Sequence, residues 1–220
     1  YVAVRVGDAI RLLSAGTLAP IAEIPAPGVD ALAVSAGWLA YRSRTDGSDR
    51  IAAREISNPA APGPELSLES TSDPAQLSPP SLDGATLVYA IARVRGSRIV
   101  ERELPGGGRD TLIRSKEELL FNPSVLGSRF AYVQTGRRHS KVYVRDRDRK
   151  GRGERVLAQR RTGGRLWSIA LAADRVLATI IQPSSSGGDA EVVAEPLEEG
   201  KGGGKKGKKG KKGKKGKKKK

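Results

Sequence analysis

Apolar and polar residues alternate with a period of two through much of the chain, most clearly in Lys141-Val-Tyr-Val-Arg145 and Arg98-Ile-Val-Glu-Arg-Glu-Leu104. That spacing belongs to a half-buried β-strand, whose successive side chains point to opposite faces. Runs bounded by Gly, Pro, Asp and Ser predict strands at Val2–Val6, Ala9–Leu13, Ile21–Ile24, Ala31–Val34, Leu39–Arg42, Arg50–Ile56, Glu65–Leu68 and Thr86–Val94. The series continues at Arg98–Leu104, Asp110–Arg114, Phe130–Gln134, Lys141–Arg145, Arg155–Ala158, Trp167–Leu171, Arg175–Gln182 and Glu191–Leu197. No stretch keeps a helical period for three turns; Ser115–Leu120 is expected to make one turn of helix. Many short strands with regular turn signals predict an all-β sandwich, barrel or propeller.

An internal repeat favours the propeller. Ser81-Leu-Asp-Gly-Ala-Thr-Leu-Val-Tyr89, Ser124-Val-Leu-Gly-Ser-Arg-Phe-Ala-Tyr132, the shorter Ser35-Ala-Gly-Trp-Leu-Ala-Tyr41 and Leu171-Ala-Ala-Asp-Arg-Val-Leu-Ala-Thr179 align on their last residues. Tyr41, Tyr89, Tyr132 and Thr179 are then 48, 43 and 47 residues apart. Each follows a small residue or Val (Ala40, Val88, Ala131, Ala178) and, one place earlier, a large apolar one (Leu39, Leu87, Phe130, Leu177). A period of about 45 residues with four strands per unit is that of a propeller blade. A sandwich of the same length predicts no such period.

The pattern Ser-x-Asp-Gly-x-x-apolar-Val-Tyr, a polar turn, then apolar-Tyr-Val-x-Asp resembles the WD-like (PD40-like) repeat of TolB-type β-propellers. Ser81–Tyr89 carries its first half, Lys141–Asp146 its second, and Thr45-Asp-Gly-Ser-Asp-Arg-Ile51 resembles its middle hairpin. The resemblance covers about residues 1–197. It implies four-stranded antiparallel blades, about four and a half of them: a partial one at 1–28, then 29–72, 73–117, 118–163 and 164–197. Such propellers commonly have six or more blades, so further blades are expected upstream of Tyr1. They also occur as caps on serine peptidases.

Charge divides the chain. Of a net +16, the last twenty residues, with 13 Lys and no acid, supply +13, leaving a nearly neutral body with 24 Arg and three Lys. Residues 198–220 are expected to be a disordered Lys/Gly-rich tail, since like charges and Gly cannot pack. Lys205, Lys206, Lys208, Lys209, Lys211 and Lys212 are candidate anion contacts there. The tail suits a polyanionic surface (a cell-wall polymer, an anionic membrane or nucleic acid), through point charges that read no sequence. The chain has no Cys, which excludes disulfides, thiolate metal sites and thiol catalysis, and no apolar run long enough to span a bilayer. It has no Met and opens in a strand-like run, so any export signal is expected upstream of Tyr1. The resemblance implies a periplasmic or extracellular protein.

The search for chemistry yields neither catalytic nor metal-binding nor cofactor-binding residues. The one histidine, His139, lies among Arg137, Arg138 and Lys141 and is expected in a solvated turn. No Gly-x-Ser-x-Gly nucleophile elbow occurs. Gly106-Gly-Gly108 precedes a strand and not a helix, so it is expected to be a flexible blade turn rather than a phosphate loop. Asp46 with Asp49, and Asp146 with Asp148, have the look of calcium ligands, but both are expected to be turn formers. Arg137, Arg138, Arg160 and Arg161 are candidate anion-binding residues on one rim. Trp38 and Trp167 are expected in the packed interior. The expected function is a non-catalytic scaffold that binds a protein or small ligand through rim loops. The alternatives are the propeller portion of a larger enzyme and non-specific nucleic-acid binding by the tail.

Overall fold

The computed structural model describes residues 1–72, 76–137, 139–148, 154–160, 165–182 and 189–197. Among them are nineteen strands in five antiparallel sheets and no helix. The first sheet holds β1 (Val2–Val6), β2 (Ala9–Leu13) and β3 (Pro20–Pro25). The second holds β4 (Val29–Ser35), β5 (Trp38–Thr45), β6 (Ser48–Glu55) and β7 (Leu66–Ser72) in sequence order. In the third, β8 (Gln76–Leu77) and β9 (Ser81–Asp83) both pair with β10 (Thr86–Arg93), followed by β11 (Gly96–Glu103) and β12 (Arg109–Ser115). The fourth is β13 (Leu119–Leu126), β14 (Arg129–Thr135), β15 (His139–Asp146) and β16 (Glu154–Arg160). The fifth is β17 (Arg165–Leu171), β18 (Arg175–Gln182) and β19 (Asp189–Pro196).

All sixteen strands expected from periodicity are present, with boundaries shifted by a few residues. The three missed are β8, β9 and β13, each the innermost strand of its sheet. Their pattern is broken by proline: Ser78-Pro79-Pro80 separates β8 from β9, and Asn122-Pro123 interrupts β13 at a register shift between Phe121 and Ser124. Proline cannot donate to a ladder, so a strand containing it loses its sequence signal. The helical turn expected at Ser115–Leu120 is absent. Buried Ser97 captures that backbone instead: its hydroxyl donates to the Glu118 carbonyl and accepts the Leu120 N–H, both at 2.8 Å, and pulls the segment into β13.

The core consists of four apolar clusters, one between each pair of successive sheets. In each middle sheet the second strand sorts its residues by face. Leu39 and Tyr41, then Leu87, Tyr89 and Ile91, then Phe130 and Tyr132 face the preceding sheet. Ala40, then Val88 and Ala90, then Ala131 and Val133 face the following one. A large side chain from one sheet thus meets small or β-branched side chains of its neighbour. Period two gives this sorting directly, and interdigitation of large with small brings the sheets to core packing density. The five sheets therefore stack face to face in chain order.

The fifth sheet corrects the repeat alignment. Its second strand turns Val176, Ala178 and Ile180 to the preceding sheet and leaves Leu177 partly exposed. The position of Tyr132 is taken by Ala178, not Thr179: the β17–β18 hairpin closes through the Ala172 N–H and the Arg175 carbonyl, so Arg175 matches Arg129 and the later residues follow in step. In the first sheet, Ala3 on β1 and Ile10 and Leu12 on β2 pack as Ala40 on β5 and Ile51 and Ala53 on β6 do one sheet later. That sheet supplies the second, third and outer strand positions; the fifth supplies the innermost three.

Serine hydroxyls tie neighbouring sheets along the inner strands. Ser35 accepts the Gly84 N–H (2.8 Å), Ser81 the Val125 N–H (3.0 Å) and Ser124 the Leu171 N–H (2.9 Å). These are the serines that begin the first three repeats. Asp83 adds a bond from the Gly127 N–H at 2.6 Å. In the hairpin of β5 and β6, Asp46 and Gly47 have φ of +49° and +71°, the geometry of a tight I′ turn.

Candidate functional site

The inner-strand segments that carry proline converge on a cleft of about 460 Å³. Its wall is Pro79, Pro80 and Ser81 from the third sheet, Phe121 to Ser124 from the fourth, and Trp167 to Ile169 from the fifth; Arg42 and Arg44 on β5 complete it. Proline and the bulge keep these segments from regular pairing, so side chains of three sheets face one space. Trp167 is 64% exposed, contrary to the interior position expected of it, while Trp38 packs against the core between the second and third sheets. Trp167 sits at the register shift between Leu166 and Ser168, which turns it out of the packed face, and its carbonyl accepts a hydrogen bond from the Asn122 amide.

The two arginines of the cleft are held by carboxylates. Arg42 makes two bonds of 2.7 Å to Asp30 and donates to the Leu77 carbonyl at 2.6 Å. Arg44 donates to both oxygens of Asp49, at 2.6 and 3.1 Å, and Asp49 also accepts the Leu77 N–H at 2.9 Å. Burial alone would raise the Asp49 carboxyl, but the hydrogen bonds from Arg44 and Leu77 and the charges of Arg44 and Arg42 outweigh it and hold it below the ordinary aspartate value. Asp49 is therefore committed to joining the second and third sheets, and Asp46 lies in the hairpin turn. Among the described residues no three His, Cys, Asp or Glu side chains gather closely enough to hold a metal ion.

Of the candidate rim residues, Arg137 is exposed in the bend after β14. The backbone of Arg160 pairs with that of His139, so the end of β16 and the Arg137 turn share one end of the fourth sheet. Arg138, Arg161 and tail residues Lys205, Lys206, Lys208, Lys209, Lys211 and Lys212 lie outside the described residues. His139 is half-buried at the start of β15, not in a solvated turn, because the hairpin closes through its carbonyl and the Gly136 N–H. Gly106-Gly-Gly108 does form the turn between β11 and β12, but a tight one: a Cβ on Gly107 would lie 2.5 Å from the Glu103 carbonyl oxygen.

Arginine also joins sheets on the outside of the fold. Arg147, adjacent to the Asp146–Asp148 candidate, makes a bidentate pair with Glu101 of the preceding sheet at 2.7 and 2.8 Å. Arg109 holds Glu69 of the preceding sheet at 2.8 Å. Sequence reasoning missed Arg42, Arg44, Phe121 and the cleft role of Trp167. The available signal was the matched placement of Leu77-Ser-Pro-Pro-Ser81 and Phe121-Asn-Pro-Ser124, proline just before the repeat serine in two successive units.

Neither a protein-family model nor a curated protein sequence matches the chain. Solved structures do. TolB from Acinetobacter baumannii is 15% identical over 86% of this chain and 49% of its own, with a TM-score of 0.53. A puromycin-hydrolysing peptidase from Mycobacterium tuberculosis is 16% identical over 84% of this chain and 28% of its own, TM-score 0.58. The β-propeller domain of the Trilobed protease from Pyrococcus furiosus, described as having an open velcro topology, is 11% identical over 76% of this chain and 54% of its own, TM-score 0.52. The chain thus spans about half or less of the length of these proteins. Face-to-face stacking of antiparallel sheets, a repeat of about 45 residues and these likenesses together establish the fold: the chain is a β-propeller of the kind seen in TolB and in peptidase propeller domains.

Proposed function

We propose that the chain is a non-catalytic binding module that takes a protein segment or small ligand into the inner-strand cleft and its rim. One observation carries this reading: an exposed tryptophan, Phe121 and three prolines line a space of about 460 Å³, within the range of ligand sites. Arg42 and Arg44 are neutralised by Asp30 and Asp49, so the cleft favours apolar and aromatic contact over charge. The Lys tail acts separately, as a salt-sensitive contact to an anionic surface such as a cell-wall polymer, an anionic membrane or nucleic acid, and the protein works outside the cytoplasm. Arg137, Arg138, Arg160 and Arg161 would add a basic rim at one end of the fourth sheet.

The second reading, the propeller portion of a larger enzyme such as a serine peptidase cap, is supported by the peptidases among the similar structures and by the share of their length that the chain spans. Fluorescence of Trp167 separates the two. A partner or ligand captured by the cleft quenches or shifts that emission, and Trp167→Ala abolishes capture while leaving thermal stability unchanged. Capture that survives Trp167→Ala overturns the cleft as the binding site. Deletion of residues 201–220 should abolish binding to polyanions such as heparin or DNA at moderate salt. Binding that survives the deletion assigns it to the arginine rim.

A further inference from the structure

The second and third sheets carry arginines at corresponding places on β6 and β11. Arg50 lies opposite Ser43 and Arg98 opposite Ile91, each two residues beyond the repeat tyrosine of its sheet, Tyr41 or Tyr89. Arg54 and Arg102 correspond in the same way, opposite Leu39 and Leu87. Both sheets shift register once between the third and outer strands, after Ile51 and Ile99, so the outer strands align too: Ser70 with Arg114, and Leu66 with Asp110. Glu65, one place before Leu66, therefore corresponds to Arg109.

That exchange reverses the charge at the outer strand. In the second sheet Glu65 accepts a hydrogen bond from Arg50 at 2.6 Å, lies 3.6 Å from Arg54 and accepts the Tyr41 hydroxyl. In the third sheet, period two brings Arg98, Arg102, Arg109 and Arg114 to the face that packs Val100 against the second sheet, with Arg93 beside them on β10. The acids of these strands, Glu101, Glu103 and Asp110, alternate to the other face. Glu69 of β7 neutralises one end: it accepts Arg109 at 2.8 Å and the Tyr89 hydroxyl at 3.0 Å, and Arg102 donates to the Tyr89 oxygen at 3.4 Å.

The other end has no such carboxylate among the described residues. Arg98 and Arg114 stand directly opposite each other, a like-charge pairing that destabilises a sheet. The Arg98 Nε is shielded from water and has no hydrogen-bond partner among the described residues. Burial, then the charges of Arg109, Arg93 and Arg114, hold the Arg98 guanidinium below the ordinary arginine value.

We propose that this end of the outer seam between the second and third sheets binds a doubly charged tetrahedral oxyanion, a phosphate or sulfate group, on Arg98 and Arg114 with Arg93 beside them. The anion supplies to Arg98 what Glu65 supplies to Arg50. Guanidinium forks bind such oxygens bidentately, and two negative charges offset an opposed pair of cations. The site is separate from the inner-strand cleft and from the Lys tail, which has no arginine. The group comes either as a free inorganic ion or as the monoester end of a small organic molecule.

NMR of the arginine Nε–H groups of the full chain at constant ionic strength tests this, because the tail contributes no such signal. The probes are inorganic phosphate, sulfate, glycerol 3-phosphate and acetate, each replaced stepwise by chloride. The expected result is a saturable shift of the Arg98 signal with the dianions and weaker binding of acetate. Tighter binding of glycerol 3-phosphate than of inorganic phosphate identifies the ester as the source, and the reverse identifies the free ion. Arg98→Met, read on the Arg114 signal, and Arg114→Met, read on the Arg98 signal, should each weaken binding about tenfold or more, the loss expected for a charge-assisted hydrogen bond. Each variant also relieves the opposed pair, so neither should lower the melting temperature. No saturable shift with any dianion, acetate binding as tightly as phosphate, full affinity in both variants, or a lower melting temperature in Arg114→Met would each overturn the proposal. Should Arg98→Met not fold, Arg114→Met, whose side chain is exposed, decides together with the titration of the natural chain.

Discussion

Asp49→Ala tests how the sheets are joined. The carboxylate is buried on β6 and bridges Arg44, on its own sheet, and the N–H of Leu77, on the next. Leu77 is 2% exposed, so its N–H would lose its acceptor out of reach of water, which costs about 1–3 kcal/mol. The Arg44 side chain is 49% exposed and rehydrates, so breaking that pair adds at most about 1 kcal/mol. The expected cost is about 2–3 kcal/mol, and at about 2–4 °C per kcal/mol for a domain of this size the melting temperature falls by about 4–12 °C. Asp49→Asn keeps an oxygen for Leu77 and should cost about 1 kcal/mol. The folded carboxyl titrates below its unfolded value, so its stabilisation is complete above about pH 5 and is lost as pH falls through the depressed folded value. Urea unfolding followed by circular dichroism at pH 7 and pH 3 reads all of this. Equal losses in the two variants, or a difference from the natural chain that is the same at both pH values, would refute the reasoning. Millimolar calcium should leave the melting temperature of the natural chain unchanged, because the Asp49 oxygens are already engaged.

Ser81→Ala and Ser124→Ala each strip the acceptor from an inter-sheet N–H and should cost about 1–2 kcal/mol apiece in urea unfolding. A double variant with no loss would exclude the serine ladder as a tie between sheets. Ala131→Leu places a branched side chain in the fully buried seam against the fifth sheet and should destabilise by about 1–3 kcal/mol; a neutral effect would mean that the seam has room. Burial pushes the hydroxyls of Tyr41 and Tyr89 up to about 12. Absorbance at 295 nm should therefore show Tyr41 and Tyr89 un-ionised until about pH 12, a signal that Tyr41→Phe and Tyr89→Phe remove, with the stability from their neutral forms present below pH 10 and lost as pH rises through 12.

The outer and middle strands were legible because they alternate cleanly: Arg98–Leu104 and Lys141–Arg145 each have one face in a seam. The repeat was legible from Tyr41, Tyr89 and Tyr132, since each seam needs a large residue against a small one. The innermost strands β8, β9 and β13 were not, because proline and a positive φ at Asn122 break the period where the cleft is built. The fifth sheet was misaligned by one residue because its hairpin has neither the Gly nor the aromatic that mark the other repeats, so residue type gave no anchor for its register.

Local pattern by itself determined the strand type, the period and the separation of a charged tail from a nearly neutral body, since alternation and charge are properties of neighbouring residues. Only the tertiary structure decided which carboxylate meets which arginine. Asp49 reaches Leu77 across 28 positions, Glu69 reaches Arg109 across 40, and Arg147 reaches Glu101 across 46. These partners become neighbours only when one sheet stacks on the next, and so do the walls of the cleft.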